Sequence, residues 1–248
     1  MLRLKTVSLV TTLDELEKLP EGKILINTIN AYSYNNAQKD PAFAEALCGG
    51  DALLPDGMSI VMACRLIRAK SRPQRRIAGW DLFVSEMQRL QRKAEQDGEK
   101  RRVMFLGSSE PVLERIVQRI HSDYPLFEVH TYSPPYRAEF CDTDNADMLD
   151  AIHRADPDLL WIGMTAPKQE KWTFAHWPQM DVHCHVGTIG AVFDFYAGTL
   201  RRAPEWMQRC GLEWLFRLLC EPRRMWRRYI FGNAEFLARV VGECLKCR

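Results

Sequence analysis

Long apolar runs are absent from this 248-residue sequence, and so are the usual marks of secretion. No stretch approaches the roughly 18 uninterrupted apolar residues that a membrane-spanning helix requires. The first twenty residues offer only a short apolar stretch before Asp14, Glu15 and Glu17, with no small-residue cleavage site. A signal peptide needs both features, so we expect neither an N-terminal leader nor a transmembrane helix.

The glycine fingerprints of phosphate binding are missing as well. No G-x-G-x-x-G follows the first strand-like segment, and no G-x-x-x-x-G-K-[ST] is present. Dinucleotide-binding and P-loop proteins use these glycines to bring the backbone close to phosphate. A Rossmann-like nucleotide-binding oxidoreductase therefore stays an alternative without its main support.

The spacing of the eight cysteines does not indicate a disulfide framework. Cys244 and Cys247 make a single C-x-x-C without a second pair, which argues against a zinc site or a redox pair. Because nothing else indicates secretion, we expect a reducing cytoplasm. The remaining cysteines are scattered as buried small residues often are, and we predict that they are buried: Cys48, Cys64, Cys141, Cys184, Cys210 and Cys220.

The charge is unevenly distributed along a chain of ordinary globular composition. The net charge is only +2, but residues 199–248 carry eleven basic and five acidic side chains, a net +6, and the rest carries −4. Such asymmetry indicates an anionic partner for the basic segment. We predict a catalytic domain over 1–198 and a basic, aromatic helical appendage over 199–248.

Strand-like and helix-like segments alternate along the chain, which predicts an α/β fold: a Rossmann-like, mainly parallel sheet flanked by helices. A helix over 31–48 is interrupted near Pro41. The other predicted helices cover 58–67, 81–96, 108–120 and 145–155, with one more from Pro167, and the predicted strands cover 23–28, 51–57, 101–107, 127–132, 158–164 and 182–187.

Several strands end in polar or glycine-rich residues, and ligands of parallel sheets bind at the carboxyl ends of the strands. Gly107, Gly163 and Gly187 stand at such ends, where backbone N–H groups can hold a phosphate. The alternative for each glycine is a tight turn. In GMTAPKQEKW (163–172), Pro167 suits a first helical position and places Lys168 and Gln169 where a helix N-terminus attracts an anion.

Asp56 in LLPDGMS follows an apolar strand and Pro55. A carboxylate at the end of a strand is suited to act as a general base, with Gly57 allowing a sharp turn after it. The alternative is an N-cap for the helix that begins at Met58. Thr28 and Asn30 are expected on a neighbouring strand end, where they bind sugar hydroxyl or acetamido groups or form a polar turn.

Asp142-Thr143-Asp144 has the D-x-D form of a metal-binding motif found in many nucleotide-sugar transferases. It precedes a helical segment, so we interpret it as acidic helix capping and predict no metal site.

The basic segment also contains an amphipathic helix. At about 100° per residue, its arginines share one arc of roughly 140° and its apolar residues lie opposite. It either packs on the domain with a solvated basic face, or places aromatic side chains at the lipid boundary and arginines on phosphates. The arginines are Arg223, Arg224, Arg227 and Arg228, and the apolar residues are Met225, Trp226, Tyr229 and Ile230.

Six motifs in order, spread from about Ile24 to Phe231, resemble the WecG/TagA/CpsF glycosyltransferases. They are PDGMSIV, RIAGWDLF, GMTAPKQEKW, VGTIGAVFDFYAG, RRAPEWMQRCGLEWLFRL and CEPRRMWRRY. The resemblance implies an inverting enzyme that moves a hexose or N-acetylhexosamine, N-acetylmannosamine favoured, from a UDP-sugar to an undecaprenyl-diphosphate-linked sugar in the synthesis of cell-surface polysaccharide. It also implies a Rossmann-like domain whose active site is completed by a C-terminal appendage. The resemblance further implies catalysis without a metal ion or other cofactor.

The resemblance assigns roles residue by residue. Asp56 matches the catalytic base, Thr28 and Asn30 match substrate-pocket positions, and Gln169 matches a nucleotide-sugar contact. Trp80 departs from the small or polar residue of many members. The remaining matches are Arg76 and Asp81 in RIAGWDL, Asp194 in VGTIGAVFD, and Arg217, Arg224 and Arg227 as arginines of the active site. Arg223 is not among these matches, but we expect it to contact phosphate because it lies on the basic arc of the amphipathic helix.

The expected partners are the UDP-sugar, the lipid-linked acceptor and the inner face of the cytoplasmic membrane, with no nucleic acid. A non-catalytic membrane-binding module is a second alternative, but it gives no reason for Asp56, Arg76 and Gln169 to converge. The sequence leaves open the donor sugar, the acceptor saccharide, the pathway and whether the chain forms a homo-oligomer.

Overall fold

A computed structural model describes residues 2–245, with the side chains of Arg209, Arg224 and Arg228 outside the described set. Its centre is one six-stranded sheet in which every neighbouring pair is parallel and the strand order is β2-β1-β6-β5-β3-β4. The α/β prediction is confirmed. The strands are β1 (Ile24–Ile29), β2 (Ala52–Pro55), β3 (Arg101–Gly107), β4 (Phe127–Tyr132), β5 (Leu159–Gly163) and β6 (His185–Thr188).

Helices cover both faces of this sheet, and this is why every residue of β2, β5 and β6 is buried. The helices before the basic segment are α1 (Leu13–Glu17), α2 (Ala31–Lys39), α3 (Pro41–Cys48), α4 (Met58–Leu66), α5 (Gly79–Asp97), α6 (Glu110–Asp123), α7 (Asp142–Ala155), α8 (Lys168–His176) and α9 (Val192–Ala197).

Two apolar clusters cover the two faces of the sheet. One apolar cluster joins Leu82 of α5, Ile116 of α6 and Phe193 of α9 over one face. Met148 of α7 and Trp172 of α8 belong to a second cluster on the opposite face. The sheet therefore lies between two apolar layers, and only its strand ends are free to present polar groups.

The observed helices and strands match the predicted ones with several shifted boundaries; α7, for example, starts at Asp142 rather than 145. β6 starts at His185 rather than 182, and α8 starts at Lys168, with Pro167 one residue before the helix instead of in its first position. Among the cysteines predicted to be buried, Cys64 and Cys184 are, but the other four are exposed, so that prediction was wrong for Cys48, Cys141, Cys210 and Cys220. Cys247 of the C-x-x-C lies outside the described residues.

The connections that follow β3 and β5 lead towards opposite edges of the sheet. From β3 the chain passes outwards to β4, whereas from β5 it passes back towards β6 on the other side. Helices that leave two adjacent strands in opposite directions open a crevice at the carboxyl ends of those strands, where open α/β sheets bind ligands. Gly107 and Gly163 are paired in register at this point.

The basic segment forms four helices and shares a core with the rest of the chain. Phe236 and Val240 are buried in one cluster with Leu4 and Tyr34, and the Tyr34 and Phe236 rings meet edge to face at 5.4 Å. The Tyr34 hydroxyl also donates a 2.7 Å hydrogen bond to Glu243. The helices are α10 (Glu205–Arg209), α11 (Glu213–Cys220), α12 (Pro222–Trp226) and α13 (Gly232–Leu245).

A π-helical turn, Arg227–Phe231, joins α12 to α13. Because this turn is wider than an α-helix, the 100° spacing behind the two predicted arcs does not hold across it. Met225 is buried, whereas Trp226, Ile230 and Phe231 are exposed. In the part of the chain that the structure describes, no helix has the length and apolar character needed to cross a membrane.

Candidate active site

Asp56 lies directly after β2 and is held at the edge of the sheet by its backbone. Its N–H donates to the carbonyl oxygen of Ile29 at 2.8 Å, which ties the end of β2 to the end of β1. The N-cap of α4 is Gly57, and no side chain caps this helix, so the capping alternative for Asp56 is wrong. Gly57 has φ 169°, an extended conformation open to any residue, so the expected sharp turn is not what places a glycine there.

Asn30 connects the base candidate to the framework of the fold. Its side-chain oxygen accepts hydrogen bonds from the N–H groups of Tyr32 and Ser33, both at 3.0 Å, and so caps α2. The same side chain hydrogen bonds to Asp56. Thr28, partly exposed, lies two residues earlier on β1 in register with Leu54. The expected neighbourhood of these two strand ends is confirmed.

The environment of Asp56 favours its protonated form more than water does. Burial and the negative charge of Glu213 raise the pKa of Asp56 to about 7, against the opposing effects of the Arg76 charge and the Asn30 hydrogen bond. A carboxyl group with a pKa close to neutrality is a stronger base than an ordinary aspartate, and it is still half ionised at pH 7.

Arg76, in the segment between α4 and α5, lies close enough to Asp56 for its positive charge to lower the pKa of that carboxyl group. The adjacent Ile77 donates its N–H to Pro55 at 3.0 Å, which fixes the segment beside the end of β2. Although burial opposes it, the hydrogen bond and charge of Glu213 raise the pKa of Arg76 above its ordinary value. Asp81 accepts a 2.8 Å hydrogen bond from the N–H of Ala78 and thereby caps α5.

Glu213 and Arg202 complete a charged cluster that the sequence did not reveal. Glu213, the first residue of α11, forms an ion pair with Arg76, and its other oxygen lies 3.8 Å from Nε of Arg202. Among the described residues, that Nε is buried and has no hydrogen-bond partner. Both residues stand in quoted motifs, RRAPEW and GLEWLF, but only the folded chain brings them to Asp56.

The Trp80 ring packs against Arg202 of this cluster. The guanidinium of Arg202 lies 4.9 Å from the centre of the Trp80 ring, and the ring contacts Phe83 and Tyr196. A cation over an indole face is a favourable arrangement that also fixes the direction of the arginine. The departure from the family pattern at Trp80 therefore has a visible consequence, which is a platform for Arg202.

Gly107 and Gly163 allow β3 and β5 to approach closely at the crevice. Gly107 has φ +119°, and a Cβ there would lie 2.5 Å from the carbonyl oxygen of Gly163. A Cβ on Gly163 would lie 2.5 Å from the Phe193 ring. Gly187 is different, because it lies inside β6 and a Cβ there would meet the Trp161 ring at 2.3 Å, so packing alone accounts for this glycine.

Gln169 is buried at the start of α8 and holds two loops. Its side-chain oxygen accepts a 3.2 Å hydrogen bond from the N–H of Met164 and lies 3.3 Å from the position of a Cβ on Gly190. Its amide nitrogen donates to Glu170 at 2.9 Å, and burial raises the pKa of Glu170 to about 7. Gln169 thus sets the shape of the strand ends between Asp56 and the crevice.

Lys168 and the segment 133–141 border the far side of the crevice. The ammonium group of Lys168 donates to the Arg137 carbonyl at 2.6 Å and lies 3.3 Å from the centre of the Phe140 ring. Asp144 accepts a 3.0 Å hydrogen bond from the N–H of Cys141, so the capping interpretation of the acidic motif is confirmed.

Comparison with known proteins agrees with this site. The model of the WecG/TagA/CpsF family of glycosyl transferases matches residues 1–248. The chain belongs to this family. It is 32% identical to an N-acetylglucosaminyldiphosphoundecaprenol N-acetyl-β-D-mannosaminyltransferase of Bacillus subtilis, over 90% of this chain and 82% of that protein. Proteins of the same name from Bacillus spizizenii and Staphylococcus aureus are 33% and 26% identical, over 78% and 83% of this chain and 70% and 76% of theirs.

Family membership identifies the chain as a glycosyltransferase and decides against the oxidoreductase and the non-catalytic module.

The arginines that the family resemblance selects in the basic segment are spread along it. Arg217 of α11 lies 5.5 Å from the centre of the Phe195 ring, while Arg223 and Arg227 are exposed. The side chain of Arg224 lies outside the described residues. Asp194, in the first turn of α9, accepts from the Thr199 hydroxyl at 3.2 Å.

Proposed function

We propose that this glycosyltransferase moves an N-acetylmannosamine-type sugar from a UDP-sugar to an undecaprenyl-diphosphate-linked sugar, with inversion at the anomeric carbon. The observation that carries the proposal is the cluster of Asp56, Asn30, Arg76, Arg202 and Glu213 at the carboxyl ends of β1 and β2. The names of the relatives support the acceptor and the sugar, because they act on N-acetylglucosaminyldiphosphoundecaprenol and transfer N-acetylmannosamine.

The donor fits along the edge of the sheet. In the order β2-β1-β6-β5, three strand spacings separate Asp56 from Gly163, about 14 Å at the usual distance between strands. An extended nucleotide diphosphate sugar has a comparable length. We place the nucleotide at the β5–β3 crevice beside Gly107 and Lys168, and the transferred sugar near Gln169 and the ends of β1 and β6.

Asp56 acts as the general base in this mechanism. The ionised carboxylate takes the proton of the acceptor hydroxyl while the hydroxyl oxygen forms a bond to the anomeric carbon. The bond between that carbon and the phosphate oxygen breaks on the opposite side, and UDP leaves with the electron pair. A single displacement of this kind inverts the configuration of the sugar.

The departing UDP gains negative charge, and arginines are suited to stabilise it. Arg202 offers a buried, unpartnered Nε–H among the described residues, and Arg76 stands beside it. Arg217, Arg224 and Arg227 are the family-derived candidates from the basic segment, and Arg223 is a further candidate beside them. Arg76 or one of these arginines meets the acceptor diphosphate. This mechanism requires no metal ion. An experiment with a chelator tests this point.

The acceptor carries a polyprenyl chain, so the enzyme has to work at a membrane surface. Exposed Trp226, Ile230 and Phe231, near the exposed arginines of the basic segment, suit the boundary between lipid headgroups and acyl chains. We propose peripheral attachment through residues 199–248, on the cytoplasmic face where nucleotide sugars are available.

A donor screen tests the proposal. Purified protein is mixed with a short-chain polyprenyl-diphosphate N-acetylglucosamine and, in separate reactions, UDP-N-acetylmannosamine, its uronic acid, UDP-glucose and UDP-N-acetylglucosamine, and products are read by mass spectrometry. We expect a mass increase of one N-acetylhexosamine with UDP-N-acetylmannosamine. Absence of product with every donor, from folded protein on vesicles, contradicts the proposal.

A further inference from the structure

We infer that Glu213 is a positioning residue of the transfer reaction. Its carboxylate gathers Arg76 and Arg202 beside Asp56, and its negative charge acts on that carboxyl group. This inference rests on the proposed function, since Asp56 is the base there, but it concerns a residue to which that function assigns no role.

The first observation is the burial of the ion pair between Glu213 and Arg76. Their side chains are only 19% and 16% exposed, so solvent screens this interaction far less than it screens a surface pair. Glu213 belongs to α11 and Arg76 to the segment before α5, which lie 137 residues apart in the chain. The pair therefore fastens the basic segment to the rim of the site.

The second observation is that the same carboxylate faces a second guanidinium. Arg202 approaches from the other side, 3.8 Å from the second oxygen of Glu213, while the Trp80 ring supports its opposite face. Without an anion between them, two partly buried guanidinium groups in this position would repel each other. Glu213 allows both guanidinium groups to stay together beside Asp56.

The third observation explains how α11 comes so close. Gly211, two residues before Glu213, has φ +71°, and a Cβ there would lie 2.9 Å from Cγ of Met58 at the start of α4. Only glycine suits both the left-handed backbone and this contact. The turn before α11 is thus built against the helix that follows Asp56, and this contact brings Glu213 into the site.

The chemical consequence concerns Asp56. A negative charge nearby disfavours ionisation of a second carboxyl group and so strengthens it as a base. Of the charged neighbours that act on Asp56, Glu213 and Asp81 favour its proton, and Arg76 and Arg202 oppose it. Glu213 also draws the Arg76 charge towards itself. Its removal then weakens the base and loosens both arginines at once.

The test compares Glu213→Gln with a matched control, Glu235→Gln. Glu235 also links the basic segment to the rest of the chain, through a 2.8 Å ion pair with Lys39, and it makes no ion pair with Arg76 or Arg202. In Glu213→Gln, we expect the midpoint of the acid limb in the pH profile of kcat to fall by about half to one pH unit. We also expect the plateau value of kcat to be several-fold lower. Glu235→Gln should leave both unchanged, and Glu213→Asp should restore part of the plateau.

A second measurement separates this inference from the proposed function. Protein labelled with ¹³C-aspartate is titrated by NMR without substrate, and Asp56 is identified as the carboxyl signal missing from Asp56→Asn. The midpoint of that signal should fall in Glu213→Gln and not in Glu235→Gln, even if no donor supports transfer. A midpoint unchanged in Glu213→Gln overturns the inference. If Glu213→Gln does not fold, the same comparison is made with Glu213→Asp, for which an unchanged midpoint together with an unchanged kcat overturns it.

Discussion

The side chain of Asn30 hydrogen bonds to Asp56 and, at the same time, caps helix α2 through two backbone N–H groups. Because its oxygen is committed to the cap, the amide nitrogen is the group left to donate to the carboxylate. The base candidate is therefore oriented by a residue that the fold itself holds in place. This relationship explains why the strand ends of β1 and β2 form a rigid site rather than a polar turn.

The first prediction concerns pH. Because the pKa of Asp56 is raised from 3.8 to about 7, the base loses its proton only near neutrality. A general base works in its ionised form, so kcat/KM should fall about tenfold for each pH unit below 7 and reach a plateau above it. Initial rates at acceptor concentrations well below KM, between pH 5 and 9, give this profile. An acid limb near pH 4 contradicts the raised pKa or the role of Asp56.

Gln169→Ala should weaken binding of the UDP-sugar. The variant removes the acceptor for the Met164 N–H and the donor for Glu170, so the loop between Asp56 and the crevice loses its shape. We expect the altered loop to lose a polar contact with the donor, worth about 1–2 kcal/mol, which corresponds to a Kd about five- to thirtyfold higher. Calorimetry measures the donor Kd, with Gln179→Ala, a glutamine that is exposed rather than buried, as the control. Equal donor affinity in both variants moves the donor site away from α8.

Chelation should leave turnover unchanged. Asp144, the most metal-like carboxylate of the D-x-D motif, is held by the N–H of Cys141 and by Arg137, which are contacts of a helix cap. Full activity in EDTA is the expected result with vesicle-bound acceptor. Loss of activity that manganese restores would return Asp142 and Asp144 to the catalytic site.

Arg217→Ala should reduce turnover more than attachment to vesicles. Membrane binding spreads over many residues at about 1 kcal/mol for each basic side chain, whereas one lost donor to a leaving group costs about a hundredfold in kcat. Arg239→Ala removes the same charge from a residue paired with Glu235 on α13 and serves as the control. Vesicle sedimentation and turnover are measured on both variants, and a loss of turnover no greater for Arg217→Ala than for Arg239→Ala removes Arg217 from the catalytic list.

Point variants test the role of the basic segment better than removal of residues 199–248 would. Phe236 and Val240 share a buried cluster with Leu4 and Tyr34, so removal of residues 199–248 would expose part of that core. A truncated protein that loses activity would therefore not distinguish an unfolded enzyme from an incomplete active site. Whether 1–198 and 199–248 are separate domains remains a proposal.

The sequence predicted the parts of this structure that depend on local pattern. Apolar runs bounded by turn residues located all six strands, and Asp142 and Asp144 were correctly assigned to a helix start. The charged cluster was out of reach because it depends on long-range packing. Nothing local in GLEW predicts that Glu213 meets Arg76, since the contact requires the Gly211 turn to lie against Met58. At Gly187 the local pattern pointed to a phosphate site at a strand end, but packing against the Trp161 ring accounts for this glycine.

The central claim is that Asp56 removes the proton of the acceptor hydroxyl, and the Asp56→Asn variant tests it most directly. The amide keeps the shape of the carboxylate and its contact with Asn30, but it has no basic lone pair. Product formation from a UDP-sugar and a short-chain acceptor is measured by mass spectrometry in single turnover, after calorimetry has established that the variant binds the donor within a few-fold of the original protein. Product formation should be abolished. Turnover of Asp56→Asn near the original rate would contradict the general-base assignment and the mechanism that depends on it.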